Sequence, residues 1–337
     1  MISPGTPTKG VLAAFALAVV CLSICLEVRG QQTALPGAAD DLSRGIGLYE
    51  QGDKRGATDA FRDAVKKDKS NAEAWYYLGL ALKATGDVKG GRKALETAIK
   101  LKPDFADAHA ALAATFLLLS DKESEAEREA KFTLALNPQS FEAHYILAVL
   151  RLRAQNASAA LEEINAALST QPGFAKAWLL KSDVLKEIYA VEIRTPKEPF
   201  PARRLIIAEM SESLNEYLKL QPDARDADTV KYRLKGLQSY LAATEKTQDA
   251  TALEDKVFDG KDVTTRAVML IRPEPQYTEE ARGAQARGTV VLRAVFGANG
   301  QVREIEVLRS LEHGLNETSI KAARSIVFIP ATKDGYP

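Results

Sequence analysis

The amino-acid sequence predicts an α+β protein in which an all-α superhelical solenoid precedes a small α+β module. A dipeptide of alanine followed by tryptophan or histidine recurs at spacings of 34, 35 and 34 residues through the first half of the chain. Near the end, two β-branched stretches flank a turn at Asn299 and Gly300. The composition, with 46% hydrophobic and 27% charged residues, is typical of a folded chain rather than a disordered one.

The charge balance and the cysteines exclude several classes of protein. The 337 residues carry 45 basic and 45 acidic side chains, so the chain lacks the net basic surface that a nucleic-acid partner requires. Beyond the first 30 residues, no apolar run approaches the roughly 20 residues that cross a bilayer. Both cysteines, Cys21 and Cys25, lie within that stretch. The remainder therefore offers no disulfide, thiol nucleophile or thiolate metal site.

The first 30 residues are predicted to be a signal peptide or a membrane anchor. A short polar start with one lysine precedes an uncharged apolar run over residues 11–26. At about 1.5 Å per residue, a helix of this length is shorter than the hydrocarbon core of a bilayer. This favours a cleaved secretory signal over an uncleaved anchor, and either interpretation places the rest of the chain outside the cytoplasm.

The recurring dipeptide indicates stacked helical hairpins. Within one unit, Trp75, Leu78 and Leu82 share a helical face at steps of three and four residues. Gly86 interrupts the helix, and Pro103 ends the second helix of the hairpin because proline cannot continue its hydrogen bonds. One hairpin cannot bury its own apolar face, so the units must stack. We predict five units, at 38–71, 72–105, 106–140, 141–174 and 175–222, with a capping helix that completes a solenoid over residues 38–243.

This pattern resembles the tetratricopeptide repeat family, whose ligand peptides lie against first-helix residues on the concave face. By register, the resemblance implies a partner-binding row here, which we call the concave row: Tyr49, Tyr76, Leu80, Lys83, Tyr145, Val149, Leu152 and Leu179. The alternative is that these side chains only pack against the next unit. The sequence leaves both interpretations open.

A polar stretch over residues 244–265 is predicted to be a linker, and residues 266–337 a separate module. Residues 288–296 form a β-branched strand, and residues 302–308 return from the turn with apolar and charged residues mostly in alternation. A helix from Gly314 and a third strand from Ile326 follow. The expected fold of the module is two helices on a three-stranded antiparallel sheet.

The module resembles the C-terminal domain of TonB energy transducers. The features that match are, in order, Pro275, Tyr277, Gly288, Gly300, Leu315, Asn316, Glu317, Pro330 and Ala331. The resemblance implies that the module engages outer-membrane receptors by adding a strand to its sheet. The sequence departs from the family in having Thr278 where a proline is usual and no histidine in the apolar run. It also stops at Pro337, before the closing strand of the family, which we interpret as truncation.

With the closing strand short or missing, the third strand is expected to be the edge that accepts a partner segment. The predicted residues of this edge are Ser325, Ile326, Val327, Phe328 and Ile329. Pairing should stop at Pro330, because proline has no N–H to donate.

No catalytic motif is present, so we predict that the protein is not an enzyme and has no cofactor or metal. The chain has three histidines in distant segments, no glycine-rich phosphate loop and no metal-binding His-Glu-x-x-His motif. The predicted partners are proteins or peptides, with an outer-membrane receptor among them, and the predicted location is the periplasm or cell envelope of a Gram-negative-type bacterium. The favoured function is an exported adaptor related to transport. An energy transducer anchored in the inner membrane and a structural envelope scaffold are the alternatives.

The leader separates the first two functions, because force transmission requires an anchor. We expect cleavage after Gly30, so that sequencing of the purified mature protein starts at Gln31 and the protein fractionates away from membranes. A mature protein that begins at Met1 and pellets with membranes would favour the anchored transducer instead.

Overall fold

The computed structural model describes residues 37–194, 200–245 and 257–337. The predicted leader, at residues 1–30, and residues 246–256 of the predicted linker lie outside these ranges.

The predicted α+β architecture is confirmed: a helical array precedes a small module that contains antiparallel strands. The helices of the array are α1 (Ala38–Glu50), α2 (Lys54–Lys67), α3 (Ala72–Ala84), α4 (Val88–Leu101), α5 (Ala106–Phe116), α6 (Glu123–Leu136), α7 (Phe141–Arg153), α8 (Ala157–Thr170), α9 (Ala175–Arg194), α10 (Phe200–Leu220) and α11 (Ala227–Ala243). None of the helices within the described ranges is long and apolar enough to cross a membrane.

Local signals in the sequence define where these helices begin. Gly86 has a φ of 94°, a left-handed conformation that glycine adopts without steric cost and that ends the first helix of its unit. The side chain of Asp87 then accepts a hydrogen bond of 2.8 Å from the backbone N–H of Gly90. Such caps satisfy amide groups that have no partner within the helix. The same arrangement recurs at other helix starts, namely Asp53, Asn71, Ser140 and Asn156.

Close helix contacts hold each hairpin together. Helices α3 and α4 meet where Gly79 faces Gly91, and a Cβ atom added to Gly91 would lie 2.8 Å from the carbonyl oxygen of Gly79. Leu95 of α4 fills the adjacent space and is fully buried. In the first unit, the fully buried Phe61 packs against Gly45 in the same way. Small residues at these positions therefore set the distance between paired helices.

The fifth unit differs from the other four in helix length. Its helices α9 and α10 have 20 and 21 residues, whereas the helices of the first four units have between 11 and 14. The sequence is longer than the repeat period here, and residues 191–201 contain three prolines, which cannot lie in the interior of a continuous helix. Helix α9 continues to Arg194 and α10 begins at Phe200, while residues 195–199 lie outside the described part of the chain.

The C-terminal module contains two antiparallel ladders rather than the expected three-stranded sheet. Its elements are β1 (Val268–Ile271), α12 (Glu279–Gly283), β2 (Val291–Phe296), β3 (Val302–Arg309), α13 (Leu315–Arg324) and β4 (Val327–Ile329). Among the described residues, β1 pairs with β4 and β2 pairs with β3. Strand β1 was not predicted from the sequence, because its continuous apolar run has no alternation and borders a polar stretch.

The two parts of the molecule share one apolar core, which we call the junction core. It joins side chains of α9, α10 and α11 to side chains of β1 and β4, including Leu185, Tyr189, Ile193, Ile207, Met210, Leu214, Leu237, Tyr240, Leu270, Val327 and Ile329. The hydroxyl of Tyr189 donates a long hydrogen bond of 3.5 Å to the carbonyl oxygen of Phe328. Gly300, in the turn between β2 and β3, approaches Ile193 so closely that a Cβ there would lie 2.9 Å from its Cδ1.

The glycine contact between α3 and α4 predicts the effect of adding one methyl group. Gly91→Ala should lower the free energy of unfolding by about 1–3 kcal/mol, because the new Cβ overlaps a backbone oxygen. Gly47→Ala is the matched control, since no atom lies within 4 Å of its added Cβ. This control should stabilise helix α1 by about 0.5–1 kcal/mol. Urea unfolding measures both, and equal stability of the two variants would contradict the packing of α3 on α4.

The junction core also predicts a loss of stability in alkali. Burial raises the pKa of the phenols of Tyr189 and Tyr240 above the usual value of about 10. Above that pH the unfolded chain releases these protons while the folded chain retains them. Stability is therefore intact below pH about 10 and falls above it, by about 1.4 kcal/mol per pH unit for each tyrosine.

Tyr189→Phe should reduce this alkaline slope and cost little at neutral pH, because its hydroxyl makes only a long hydrogen bond. Tyr232→Phe, at a residue that is 80% exposed, is the control and should keep the slope of the parent. Urea unfolding at pH values from 8 to about 11.5 covers the window set by the tyrosine pKa. An unchanged slope in Tyr189→Phe would show that this ring is not buried in the junction core.

Candidate functional site

The structure places the whole concave row in half-buried positions of the first helices. Its members lie on α1, α3, α7 and α9, and none of them is fully exposed or fully buried. Tyr76 and Leu80 pack against the apolar cluster of α5 and α7, whereas Leu179 packs against the junction core. These contacts bury part of the surface of each of the three side chains, as the packing alternative expects. The remaining surface of each is accessible to a partner.

Aromatic contacts join successive units along this row. The ring of Tyr76 lies 5.0 Å from that of Phe105, which precedes the next first helix. Tyr145 repeats the arrangement with Phe174, at 5.6 Å between ring centroids. Burial raises the pKa of the Tyr76 and Tyr145 phenols, so both stay neutral hydrogen-bond donors and acceptors at neutral pH.

Lys83 is the charged member of the concave row. Burial removes part of the hydration of its ammonium group and thereby lowers the pKa of that group. A partly desolvated cation gains more from a nearby carboxylate than an exposed one does. The row therefore combines aromatic and aliphatic surface with one cation that favours an acidic group on a partner.

The tryptophan and histidine positions of the repeat share a hydrogen bond that the sequence analysis did not identify. In the second to fifth units a ring nitrogen lies within hydrogen-bond distance of the carbonyl oxygen six residues earlier. The pairs are Trp75 with Lys69 at 3.0 Å, His109 with Pro103 at 3.0 Å, His144 with Pro138 at 3.1 Å and Trp178 with Pro172 at 2.8 Å. The rings thus fix each first helix to the loop before it, which is a structural role.

The two histidines have a second partner each. Nδ1 of His109 lies 2.7 Å from a carboxylate oxygen of Glu129, and His144 repeats this distance with Glu163. These pairs connect the two helices within a unit. Across the described residues, no group of three or more histidine, cysteine, aspartate or glutamate side chains is arranged to hold a metal ion.

The expected open edge on the third strand needs correction. Ser325 caps the end of α13 instead of lying in a strand, and Ile326 precedes β4. Val327, Phe328 and Ile329 form β4 and are at most 1% exposed. One edge of β4 is already paired with β1, because an apolar segment that the sequence analysis assigned to the start of the module folds back onto it.

A cleft that the sequence did not indicate lies beside the β2–β3 hairpin. Its volume is about 580 Å³, and residues of β2, of the stretch before β1 and of the last seven residues line it. Four of its lining side chains are cationic: Arg266, Arg293, Arg303 and Lys333. Arg293 is paired across the ladder with Glu306, which reduces the charge available to a ligand.

Comparisons with known proteins agree with both resemblances. Residues 42–103 and 124–177 match the tetratricopeptide repeat model, and residues 273–337 match the model described as Gram-negative bacterial TonB protein C-terminal. The resemblances inferred from the sequence are thereby confirmed. Tetratricopeptide repeats are protein-interaction domains, and the TonB-type segment indicates a role in the Gram-negative envelope. Both are non-enzymatic kinds of domain.

Several solved structures are similar to the helical part at low sequence identity. The tetratricopeptide repeat protein TTC0263 of Thermus thermophilus is 15% identical, with 60% of this chain and 98% of that chain covered and a TM-score of 0.45. MamA from Desulfovibrio magneticus is 16% identical, with 57% and 99% covered and a TM-score of 0.42. YrrB, a tetratricopeptide repeat protein, is 19% identical, with 58% and 92% covered and a TM-score of 0.40. No curated protein matches the chain.

Proposed function

We propose that the protein is an exported, non-enzymatic adaptor of the cell envelope with a role related to transport. In this proposal the repeat array binds protein segments on its concave row, and the TonB-like module engages an outer-membrane partner by strand addition. The observation that carries the proposal is the junction core, which joins an interaction array to a TonB-like module through shared buried side chains. A partner held by one part is thereby kept at a fixed position relative to the other.

The concave row supports the first half of this proposal. The rings of Tyr76 and Tyr145 are ordered by packing between units, so binding of a segment would cost these two side chains little additional entropy. Tyr76 and Tyr145 supply apolar surface and a hydroxyl, a combination common at protein interfaces. Lys83 supplies the charge that orients a segment with an acidic residue.

The main chain of the C-terminal module supports the second part of the proposal, which is strand addition by an outer-membrane partner. Strand addition uses backbone hydrogen bonds for affinity and side-chain pockets for selectivity. Strand β4 is a three-residue strand at the boundary between the module and the array, and it belongs to a ladder of only two strands. A ladder this short is held by few backbone hydrogen bonds, so the main chain of β4 is a suitable partner for another extended segment.

Photocrosslinking in cells tests the concave row. A photoreactive phenylalanine derivative at Lys83 or Leu152 should give protein adducts in the envelope fraction, because both side chains are half-buried members of the row. The matched control is the same substitution at Lys93, an exposed residue on the second helix α4. Adducts at the row positions that are absent at Lys93 support the proposal. Equal labelling of all three positions, or labelling of Lys93 alone, contradicts it.

A further inference from the structure

Strand β1 occupies the edge of β4 that a partner strand would otherwise use. The two strands are antiparallel, with Val268 opposite Ile329, Met269 opposite Phe328 and Ile271 opposite Val327. The ladder contains a bulge at Leu270, where one extra residue of β1 interrupts the pairing. An edge that carries unpaired backbone groups attracts other strands, and here the chain covers that edge with its own segment.

A second set of contacts extends this pairing beyond the strands. Thr265 and Thr332 exchange backbone hydrogen bonds of 3.2 and 3.1 Å, and their hydroxyl oxygens lie 2.8 Å apart. The backbone N–H of Thr264 also donates to the carbonyl oxygen of Thr332 at 2.7 Å. Backbone pairing therefore reaches both ends of residues 264–271, at the Thr265–Thr332 bridge and in the β1–β4 ladder, while residues 266 and 267 lie between the two.

The side chains of β1 indicate which residues fit at the edge of β4. Leu270 is 9% exposed and contributes to the junction core, and Val268 packs on α11 where Gly236 leaves room for it. Met269, between them, is 43% exposed. The edge therefore offers apolar sites for two aliphatic side chains two residues apart, and it tolerates a variable residue between them.

We propose that β1 is a resident occupant of the β4 edge and that a partner engages the module by replacing it. The partner is an extended protein segment with aliphatic side chains at the positions of Val268 and Leu270. This inference rests on the strand addition proposed above. Replacement exchanges one set of backbone hydrogen bonds for another, so its net cost is small compared with opening a new edge.

The experiment uses a fluorescent synthetic peptide with the chain's own sequence over residues 264–272, and fluorescence anisotropy measures its binding to the full-length protein. Because β1 closes the edge in the parent, the apparent affinity of the peptide is reduced by the fraction of open molecules. Leu270→Asp in the protein should release β1 and strengthen peptide binding by about tenfold or more. Met269→Asp is the matched control at an exposed position and should bind as the parent does.

A reversible disulfide between β1 and the segment after β4 provides a second test if the Leu270→Asp protein does not fold. In a background with Cys21 and Cys25 replaced by serine, Thr265→Cys and Thr332→Cys place two sulfurs where hydroxyls now lie 2.8 Å apart. The oxidised protein should bind the peptide at least about tenfold more weakly than the same protein after reduction. Equal binding in both redox states would overturn the proposal, as would equal binding by the parent and a folded Leu270→Asp protein.

Two altered peptides test the selectivity of the edge. The peptide with Leu270→Asp should lose binding to the reduced protein, and the peptide with Met269→Lys should retain it. Loss with both peptides, or with neither, would contradict the assigned apolar sites. Since the probe is the chain's own segment, these results do not depend on an outer-membrane partner. Failure of the adaptor function and failure of β1 replacement are therefore distinguishable.

Discussion

The architecture of this protein depends on the junction core, where α9, α10 and α11 bury the inner face of the ladder formed by β1 and β4. A ladder of two short strands is only marginally stable in water and needs a packed face to persist. The helices of the last unit supply that face, with Leu185, Ile207 and Leu237 all at most 1% exposed. Equally, Leu270, Val327 and Ile329 of the module cover apolar surface of these last helices. Each part thus completes the core of the other.

The length of α9 and α10 makes this arrangement possible. The helices of the first four units are shorter, and stacking against neighbouring units buries their apolar faces. The longer helices of the fifth unit continue past that point, and Tyr189 and Ile193 lie near the C-terminal end of α9. The longer helices of the fifth unit therefore supply part of the apolar surface on which the module sits.

The repeats and the module contribute different kinds of recognition to the proposed adaptor. In the array, ring nitrogens and aromatic contacts fix the first helices, so the concave row is a surface of ordered side chains. In the module, the proposed recognition uses the main chain of β4, which is paired with the chain's own β1 in the structure. In this proposal the concave row is always accessible to a partner, whereas the β4 edge is accessible only after β1 has left it.

The sequence by itself determined the features that arise from neighbouring residues. The 34-residue period, the Gly-Asp pair at Gly86 and the turn at Gly300 are local signals, because helix caps, helix faces and hairpin turns form within a few residues of chain. They established the repeat array, the α+β class and the resemblance to TonB C-terminal domains. They also located the concave row on the first helices, and all eight of its members are half-buried in the structure.

Only the tertiary structure decided what covers the third strand and how the two parts meet. The pairing of Val268 with Ile329 joins segments far apart in the chain, and the buried face of the β1–β4 ladder leaves no alternating pattern in residues 268–271. A continuous apolar run is compatible with a strand or a buried helix segment, so the run could not specify its partner. Strand pairing and core sharing depend on which surfaces meet in three dimensions, and that information is not local in the sequence.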